Sequence, residues 1–463
     1  MLSRGASRFV FPLAAAAFIT YDRSDAFDDT TDASSSLGNF LRKLSTAASV
    51  STSGRCGIER WLELTTFSKF DSSNAKFDSS NASCDEGAGI EVLDEFPYFS
   101  HWHRSLMRKH LSKEVFEELK GRKTSNGYTI NDVIKSGTAC GYSLPRNMGC
   151  MAGDYESYQI FKPFFDPVIR EYHDFSPTSL HTTDINPTHL KSVPDLDPNS
   201  EYVLSTRIRV SRSISGFPFP PASNRRQRRL VESISKRCIS RLTGDLKSTY
   251  ISLNDMTNAE NDDLIQRHIL FDNPNEWAIT AGLSKDWPDA RGIFINVEDV
   301  EDTPDFIVWV NEEDHLRIMT MKKGGDIAAV FEKLARGLAV IEEGLKEEGH
   351  SFLHDDHLGY VVGCPSNLGT GMRASMHVKL IRLSKLSGFD QMCVRMGLEV
   401  RGKHGETDKA KSGIFDISNR HRLGFSEIEL IQLMIDGVTE LVKMEKKLAN
   451  GEEVDCSEQF QKV

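Results

Sequence analysis

Two short runs rich in β-branched and aromatic residues, Phe306 to Val310 and Leu316 to Met321, flank the polar pentapeptide Asn311-Glu312-Glu313-Asp314-His315. A polar turn between two such runs predicts an antiparallel hairpin. A lone hairpin is not stable in water, so this one commits its part of the chain to a larger sheet with a covered face. The cover follows at once: Ile327, Val330, Phe331, Leu334, Leu338, Ile341 and Leu345 recur at helical spacing, which lays a helix against the sheet. Near the C-terminus Ser426 and Glu429 form a capping box for a helix that turns Ile431, Met434, Ile435, Val438 and Leu441 inward and stops before Asn450-Gly451. From Tyr202 onward β-rich runs alternate with helical ones, the pattern of an α/β or α+β domain.

Upstream the period is helical throughout. Between Phe99 and Phe175, Ser112 caps a helix with Val115, Phe116 and Leu119 on one face, and Thr129 with Asp132 makes a capping box. Ser136 to Met151, holding Gly137, Gly141, Pro145 and Gly149, reads as a mobile loop. A further helical pattern from Asp154 carries Tyr158, Phe161 and Phe165, with interruptions expected at Pro163 and Pro167. Earlier still, residues 28–95 are rich in Ser, Thr, Asp, Ala and Gly and bury too little apolar surface to offset chain entropy. They include KFDSSNA twice in succession, too few copies for a solenoid, and Trp61, Leu62, Leu64 and Phe67 as an isolated apolar motif. Residues 1–27 have Arg4 and Arg8, no acid before Asp22 and an apolar patch from Phe9 to Ile19. That reads as a targeting presequence, with a mitochondrial address favoured over a secretory one. The expected layout is presequence 1–27, linker 28–95, helical domain 96–185 and α/β or α+β domain 200–452.

Net charge and cysteine usage narrow the chemistry. At −11 the chain is a poor general binder of polyanions, so no nucleic-acid partner is expected and any phosphate site must be a local gathering of arginines. Arg225, Arg226, Arg228 and Arg229, after Pro220-Pro221, read as exposed first turns of a helix. Eight cysteines without a CxxC pattern give neither a disulfide framework nor a zinc site. No apolar run is long enough to span a membrane. The P-loop pattern and the protein-kinase signatures are absent, so a bound triphosphate would have to be held by arginines. Ser205-Thr206-Arg207-Ile208-Arg209 alternates in strand fashion and puts Arg207 and Arg209 on one face. From Cys364 to His377 the chain gathers a thiol, an amide, two glycines, a guanidinium and an imidazole, which reads as a loop between the apolar runs 358–362 and 376–381.

Those motifs, with Asn-Glu-Glu-Asp at 311–314 and Ala-Gly-Asp-Tyr-Glu-Ser-Tyr at 152–158, resemble the phosphagen (guanidino) kinases over roughly residues 95–455. The resemblance implies a small all-α N-terminal domain and a large α/β (α+β) C-terminal domain, whose antiparallel sheet of about eight strands is flanked by helices. It implies reversible phosphoryl transfer between ATP and a small guanidino substrate, with Mg²⁺ arriving on the nucleotide and no dedicated metal ligands. Residue by residue it assigns ATP or ADP to Ser205, Thr206, Arg207, Ile208, Arg209, His268, Arg317, Arg373, Ala374, Ser375, Met376, His377, Arg401, Gly402, Lys403, His404, Gly405 and Asp416. The guanidine falls to Met148, Gly149, Met151, Tyr172, Glu313, Cys364 and Glu406, of which Glu313, Glu406 and Cys364 are the catalytic set. Glu313 would orient one nitrogen toward the γ-phosphorus, and Ser366 would favour a Cys364 thiolate that is not a covalent nucleophile. Met148 to Asp154 looks creatine-kinase-like, whereas Tyr172 and Glu406 look arginine-kinase-like. The mixture ranks taurocyamine first, arginine second and creatine third. A mitochondrial location, with a cytoplasmic alternative, and a homo-oligomer, dimer or octamer, are the remaining expectations. Two rivals stand behind these: a protein-arginine kinase, disfavoured by a helical region suited to enclosing a small substrate, and a non-catalytic anion-binding module around Arg225, Arg226, Arg228 and Arg229, disfavoured by the acidic chain.

Overall fold

The computed structural model describes residues 95–140, 147–191, 196–297, 303–402 and 413–456. The presequence, the repeated KFDSSNA, the Trp61–Phe67 motif and the positions Lys403, His404, Gly405 and Glu406 lie outside the described residues.

Side-chain caps start the helices of the N-terminal region. Ser105 and Ser112 each accept a main-chain N–H at the heads of α1 (Leu106–His110) and α2 (Lys113–Leu119). Thr129 with Asp132, and Asp154 with Ser157, close capping boxes on α3 (Ile130–Ala139) and α4 (Tyr155–Ile160). The last helix, α5 (Lys162–His173), corrects the expectation of two proline breaks. The break falls at Phe161, Pro163 sits in the first turn where its missing N–H is harmless, and Pro167 is carried inside the helix. One lost hydrogen bond is tolerated there because Phe164, Phe165 and Val168 are fully buried. The loop read as beginning at Ser136 begins only after Ala139, and on its far side Met148 to Met151 are buried.

The C-terminal region runs β1 (Val203–Arg212), α6 (Arg225–Ile239), β2 (Thr249–Ser252), α7 (Asn258–Gln266), α8 (Glu276–Thr280), β3 (Gly292–Ile295), β4 (Phe306–Val310) and β5 (Leu316–Lys323). It continues through α9 (Ile327–Glu347), β6 (His354–Asp355), β7 (Gly359–Tyr360), β8 (Met372–Lys379), α10 (Phe389–Arg395), β9 (Leu398–Gly402), β10 (Ile414–Asn419) and α11 (Glu427–Ala449). Eight strands form one sheet in the order β2-β3-β4-β5-β1-β8-β10-β9, every neighbouring pair antiparallel. The expected hairpin is β4–β5, with Val310 opposite Leu316. Alternate residues of the strands, among them Ile208, Val210, Val308, Ile318, Ala374 and Met376, join apolar residues of α6, α9 and α11 in one core. The opposite face therefore carries the other half of each strand. The fold is the small helical domain plus large antiparallel-sheet domain that the resemblance implies.

One expectation fails in detail. Only Cys364 to Gly371 is loop; Arg373 to His377 belong to β8, deep in the sheet. The apolar run 358–362 supplies just two strand residues, Gly359 and Tyr360, paired with β6. Hydrophobicity marked burial there, and burial comes from packing against the helical region rather than from a ladder.

Candidate active site on one face of the sheet

Cross-strand register decides what the exposed face displays. Arg207 stands opposite Met321 on one side and Ser375 on the other, and Arg209 opposite Met319 and Arg373. Ser211 faces Arg317, which in turn faces Trp309. His377 pairs with both Ser205 and Asp416, and Asp416 with Arg401. Directly opposed residues share a face, so five arginines from β1, β5, β8 and β9 converge on one surface.

That surface is short of acceptors. The Nε atoms of Arg207 and Arg373 are buried without a hydrogen-bond partner, and Arg209 forms no ion pair among the described residues. Arg373 Nη2 meets Asp416 Oδ2 at 2.9 Å, and the Arg207 guanidinium lies 5.9 Å from the centre of the Trp309 ring. Burial, then repulsion from Arg373, brings Arg207 down to about 10. Arg209 is held well below the ordinary arginine value by burial, with Arg317, Arg207 and Arg373 adding to it. Clustered, poorly paired guanidinium groups of this kind are stabilised by an anion that can accept from several forks at once. A cavity of about 720 Å³ lies over Arg207 and Arg373, lined also by Ser205, His268, Ser375, His377 and Asp416.

A smaller cavity of about 250 Å³ shares Arg207 and His268 with the first and reaches Arg209, Glu312, Glu313 and Arg317, walled by Trp277, Trp287 and Trp309. Here the charge is balanced. Arg317 meets Glu312 at 2.8 Å, Glu313 at 2.7 Å and Asp314 at 3.3 Å. Burial alone would lower Arg317, but the three carboxylates outweigh it and raise it. Burial also raises Glu312, and it brings Asp314 up to about 6. Asn311 makes the turn possible: its φ is 55°, and its Nδ2 donates to the carbonyls of Arg228 and Ala290 at 3.0 and 2.8 Å.

The loop from Cys364 is gripped on several sides. Ala152 N donates to Gly363 O at 2.7 Å, Tyr158 Oη to Val362 O at 2.7 Å, and His173 Nε2 to Pro365 O at 2.9 Å. Arg422 donates to Ser366 O. Gly369, with φ of 86°, lies where a Cβ would overlap the Arg422 carbonyl. Asn367 Nδ2 reaches Glu313 Oε1 at 3.4 Å, joining this loop to the acidic turn. Cys364 Sγ is 3.1 Å from Ser366 Oγ. The expected thiolate is not what this arrangement favours. Burial, followed by the Glu313 carboxylate, pushes the thiol up to about 12, and the hydrogen bonds of Ser366 offset only part of that.

The remaining expected residues divide. Ile208, Ala374 and Met376 turn into the core and Thr206 donates its hydroxyl to Gly324 O at 2.8 Å, because alternate strand residues face away from Arg207 and Arg373. Gly402 ends β9 opposite Phe415. Met148 and Met151 share a buried cluster with Cys364, and Gly149 packs on Ser105. Tyr172 is elsewhere: it lines a separate cleft of about 760 Å³ with Arg170, Arg420 and His421. Sequence reading missed Asn367, the burial of Asp314 and the tryptophan wall. Trp309 alone had a legible signal, its place two residues before the turn. The run at 225–229 is not a free basic patch, since Arg228 is buried against Asp286 and Arg225 and Arg229 both pair with Asp289 at 2.9 Å. Among the described residues no group of three metal-binding side chains stands together, and no helix is long and apolar enough to cross a membrane.

Comparison with known proteins follows this geometry. Residues 101–170 match the N-terminal domain of the ATP:guanido phosphotransferases, and residues 230–448 match their C-terminal catalytic domain. The chain is 47% identical over 365 residues to a testis-isozyme creatine kinase of Oncorhynchus mykiss, covering 78% of this chain and 93% of that one. It is 46% identical to the B-type creatine kinase of Gallus gallus, covering 79% and 94%. Among solved structures a lombricine kinase superposes with a TM-score of 0.71 at 40% identity, covering 78% of this chain and 97% of its own. The duplicated taurocyamine kinase of Schistosoma mansoni, substrate-free, gives 0.69 at 33% identity, covering 76% of this chain and 48% of its own.

Proposed function

This chain belongs to the ATP:guanido phosphotransferase family and is a kinase acting on a guanidino nitrogen, and from that premise we propose how its residues do so. The nucleotide lies in the cavity of about 720 Å³, held by Arg207 and Arg373, and its phosphates extend to Arg209 where the smaller cavity adjoins, with Mg²⁺ carried in on the nucleotide. Arg401, on the edge of the same face, completes the grip. The observation that supports this most is the converging set of guanidinium groups with few internal acceptors, Asp416 being the one carboxylate among the described residues that meets Arg373. Phosphoryl transfer asks mainly for alignment and for positive charge around the equatorial oxygens, which such a set supplies without reorganisation.

The guanidine enters the smaller cavity against Glu313. A guanidinium competes there with Arg317, so its arrival frees one arm of Arg317 toward the phosphates. In the step itself the guanidino nitrogen forms a bond to the γ-phosphorus, the bond to the β-phosphate oxygen breaks, and Glu313 accepts the proton lost by the nitrogen. Holding a delocalised, weakly nucleophilic nitrogen in line is worth up to roughly 7–11 kcal/mol in the most favourable cases. Cys364 borders the same position as a neutral thiol in the ligand-free state.

For the guanidine itself taurocyamine remains first, supported by the likeness to a taurocyamine kinase structure. Identity to creatine kinases moves creatine ahead of arginine as the second reading. Side-by-side initial rates with taurocyamine, creatine, arginine and lombricine test it; a kcat/KM for creatine above that for taurocyamine reverses the order. The arginine-spaced N-terminus supports delivery to mitochondria, which imaging of the full chain fused to a C-terminal fluorophore tests.

A further inference from the structure

The cleft between the end of α5 and the turn after β10 is as large as the nucleotide cavity, about 760 against 720 Å³, and no part of the reaction above uses it. We infer that it is a second binding site, for a small tetrahedral oxyanion of the phosphate class, and that its occupation is felt at the guanidine end of the active site.

Charge bookkeeping within the cleft points to the ligand. On one wall Glu171 is already neutralised, its carboxylate 2.6 Å from both Lys109 Nζ and His110 Nε2. Asp166 has Lys162 within 3.8 Å. What remains is Asp174 against two guanidinium groups, Arg170 from α5 and Arg420 from the turn after β10, both of which line the cleft. Neither guanidinium has a hydrogen bond or ion pair among the described residues. In a chain of net charge −11 an unneutralised pair of arginines across a cleft is not a by-product of a basic surface. Two forks brought in by different elements suit an acceptor whose oxygens spread out of a single plane, as those of a tetrahedral oxyanion do.

The same walls hold the Cys364 loop. Tyr172 is followed by His173, whose ring meets Pro365 O, and Arg420 and His421 are followed by Arg422, which donates to Ser366 O and accepts from Thr370 N. Within that loop Asn367 touches Glu313. An anion bridging Arg170 and Arg420 therefore fixes both anchors of the loop that borders the guanidine position. Coupling of this kind is commonly worth fivefold or more in affinity.

Arginine-selective labelling with phenylglyoxal, mapped by mass spectrometry on the full chain with MgADP bound, reads the site directly. Millimolar phosphate is expected to slow labelling of Arg170 and Arg420 several-fold while leaving the exposed Arg226 of α6 unchanged. Equal labelling with and without phosphate, or equal slowing at Arg226, overturns the assignment. The coupling is read separately at saturating MgATP. Phosphate should lower the KM for the guanidine about fivefold in the wild type and have no effect in the Arg170→Gln, Arg420→Gln double variant, whose turnover without phosphate is unchanged. A phosphate response that survives in the double variant sinks the coupling.

Discussion

The sheet face that carries Arg207, Arg209 and Arg373 and the scaffold that buries Arg212, Arg228 and Arg291 use the same side chain to opposite ends. Arg291 is fully buried, yet its nitrogens donate to the carbonyls of Leu283, Lys285 and Asp289 at 2.6, 3.0 and 3.1 Å. Arg212 donates to Ser211 O and Thr370 O at 2.8 Å each, with the Tyr360 ring 3.5 Å beneath it. Arg228 meets Ser223 O and Asp286. Around these groups the main chain has been folded into an acceptor set for the Nη donors, although their Nε atoms and Arg212 Nη2 go without a hydrogen-bond partner just as the Nε atoms of Arg207 and Arg373 do. On the sheet face it has not, and the strands there use their carbonyls on one another. A buried charge without acceptors destabilises the folded chain unless something else supplies them, so the contrast separates a structural arginine from one kept ready for a ligand.

The largest expected effect breaks the comparison at its working end. Arg209→Gln should lower kcat at least a thousandfold, the range of arginines that stabilise a transferring phosphoryl group, while the melting temperature stays level or rises because a poorly paired charge has gone. A melting temperature that falls by several degrees would place Arg209 with the scaffold group. Glu313→Gln should cost about 10²–10³ in kcat and leave nucleotide affinity, measured by titration calorimetry, within about threefold. Loss of nucleotide binding in that variant would mean the two cavities are not separable. On the scaffold side, Arg291→Met strands three carbonyls and should destabilise by about 3 kcal/mol in urea unfolding, with the folded fraction turning over normally.

The smallest effect extends the scaffold group to a histidine. His315 accepts from Ile214 N on Nδ1 at 3.0 Å and donates from Nε2 to Pro218 O at 3.0 Å, so a second proton would face an N–H. Burial lowers it from 6.5 to about 4. The unfolded chain takes the proton first, so this contribution to stability is intact above pH 6.5 and is lost as the pH falls toward 4. His315→Gln, which removes the titrating ring and leaves an amide able to accept or donate, should reduce the difference in unfolding free energy between pH 7 and pH 4.5 by about 2 kcal/mol. An unchanged difference would show that His315 is not held neutral.

Which arginine belongs to which group was only half legible beforehand. Arg207 and Arg209 could be placed on one face because a strand alternates with period two, and the capping boxes at Thr129 and Ser426 marked helix starts because those hydrogen bonds are local. Arg212, Arg228 and Arg291 gave no such sign, since the carbonyls that receive them come from turns whose path depends on the whole fold. For the same reason Asp314 looked like part of a solvated turn. It is buried because Arg317, three residues on, is folded back beneath it. Tyr172 was tied to the guanidine by its motif, yet lies in a separate cleft, because the turn of α5 that carries it faces Arg420 and His421 rather than the sheet.

The order of strands carries one last consequence. Arg207, Arg317, Arg373 and Arg401 are scattered over nearly half the chain, and β9 joins the sheet only through β10, the final strand to be made. During synthesis a ribosome therefore releases almost every phosphate-gripping side chain before any surface exists to array them. Capture of nucleotide becomes a certificate of completed folding: a chain cut anywhere ahead of Asn419 should elute from immobilised ATP with the unfolded material.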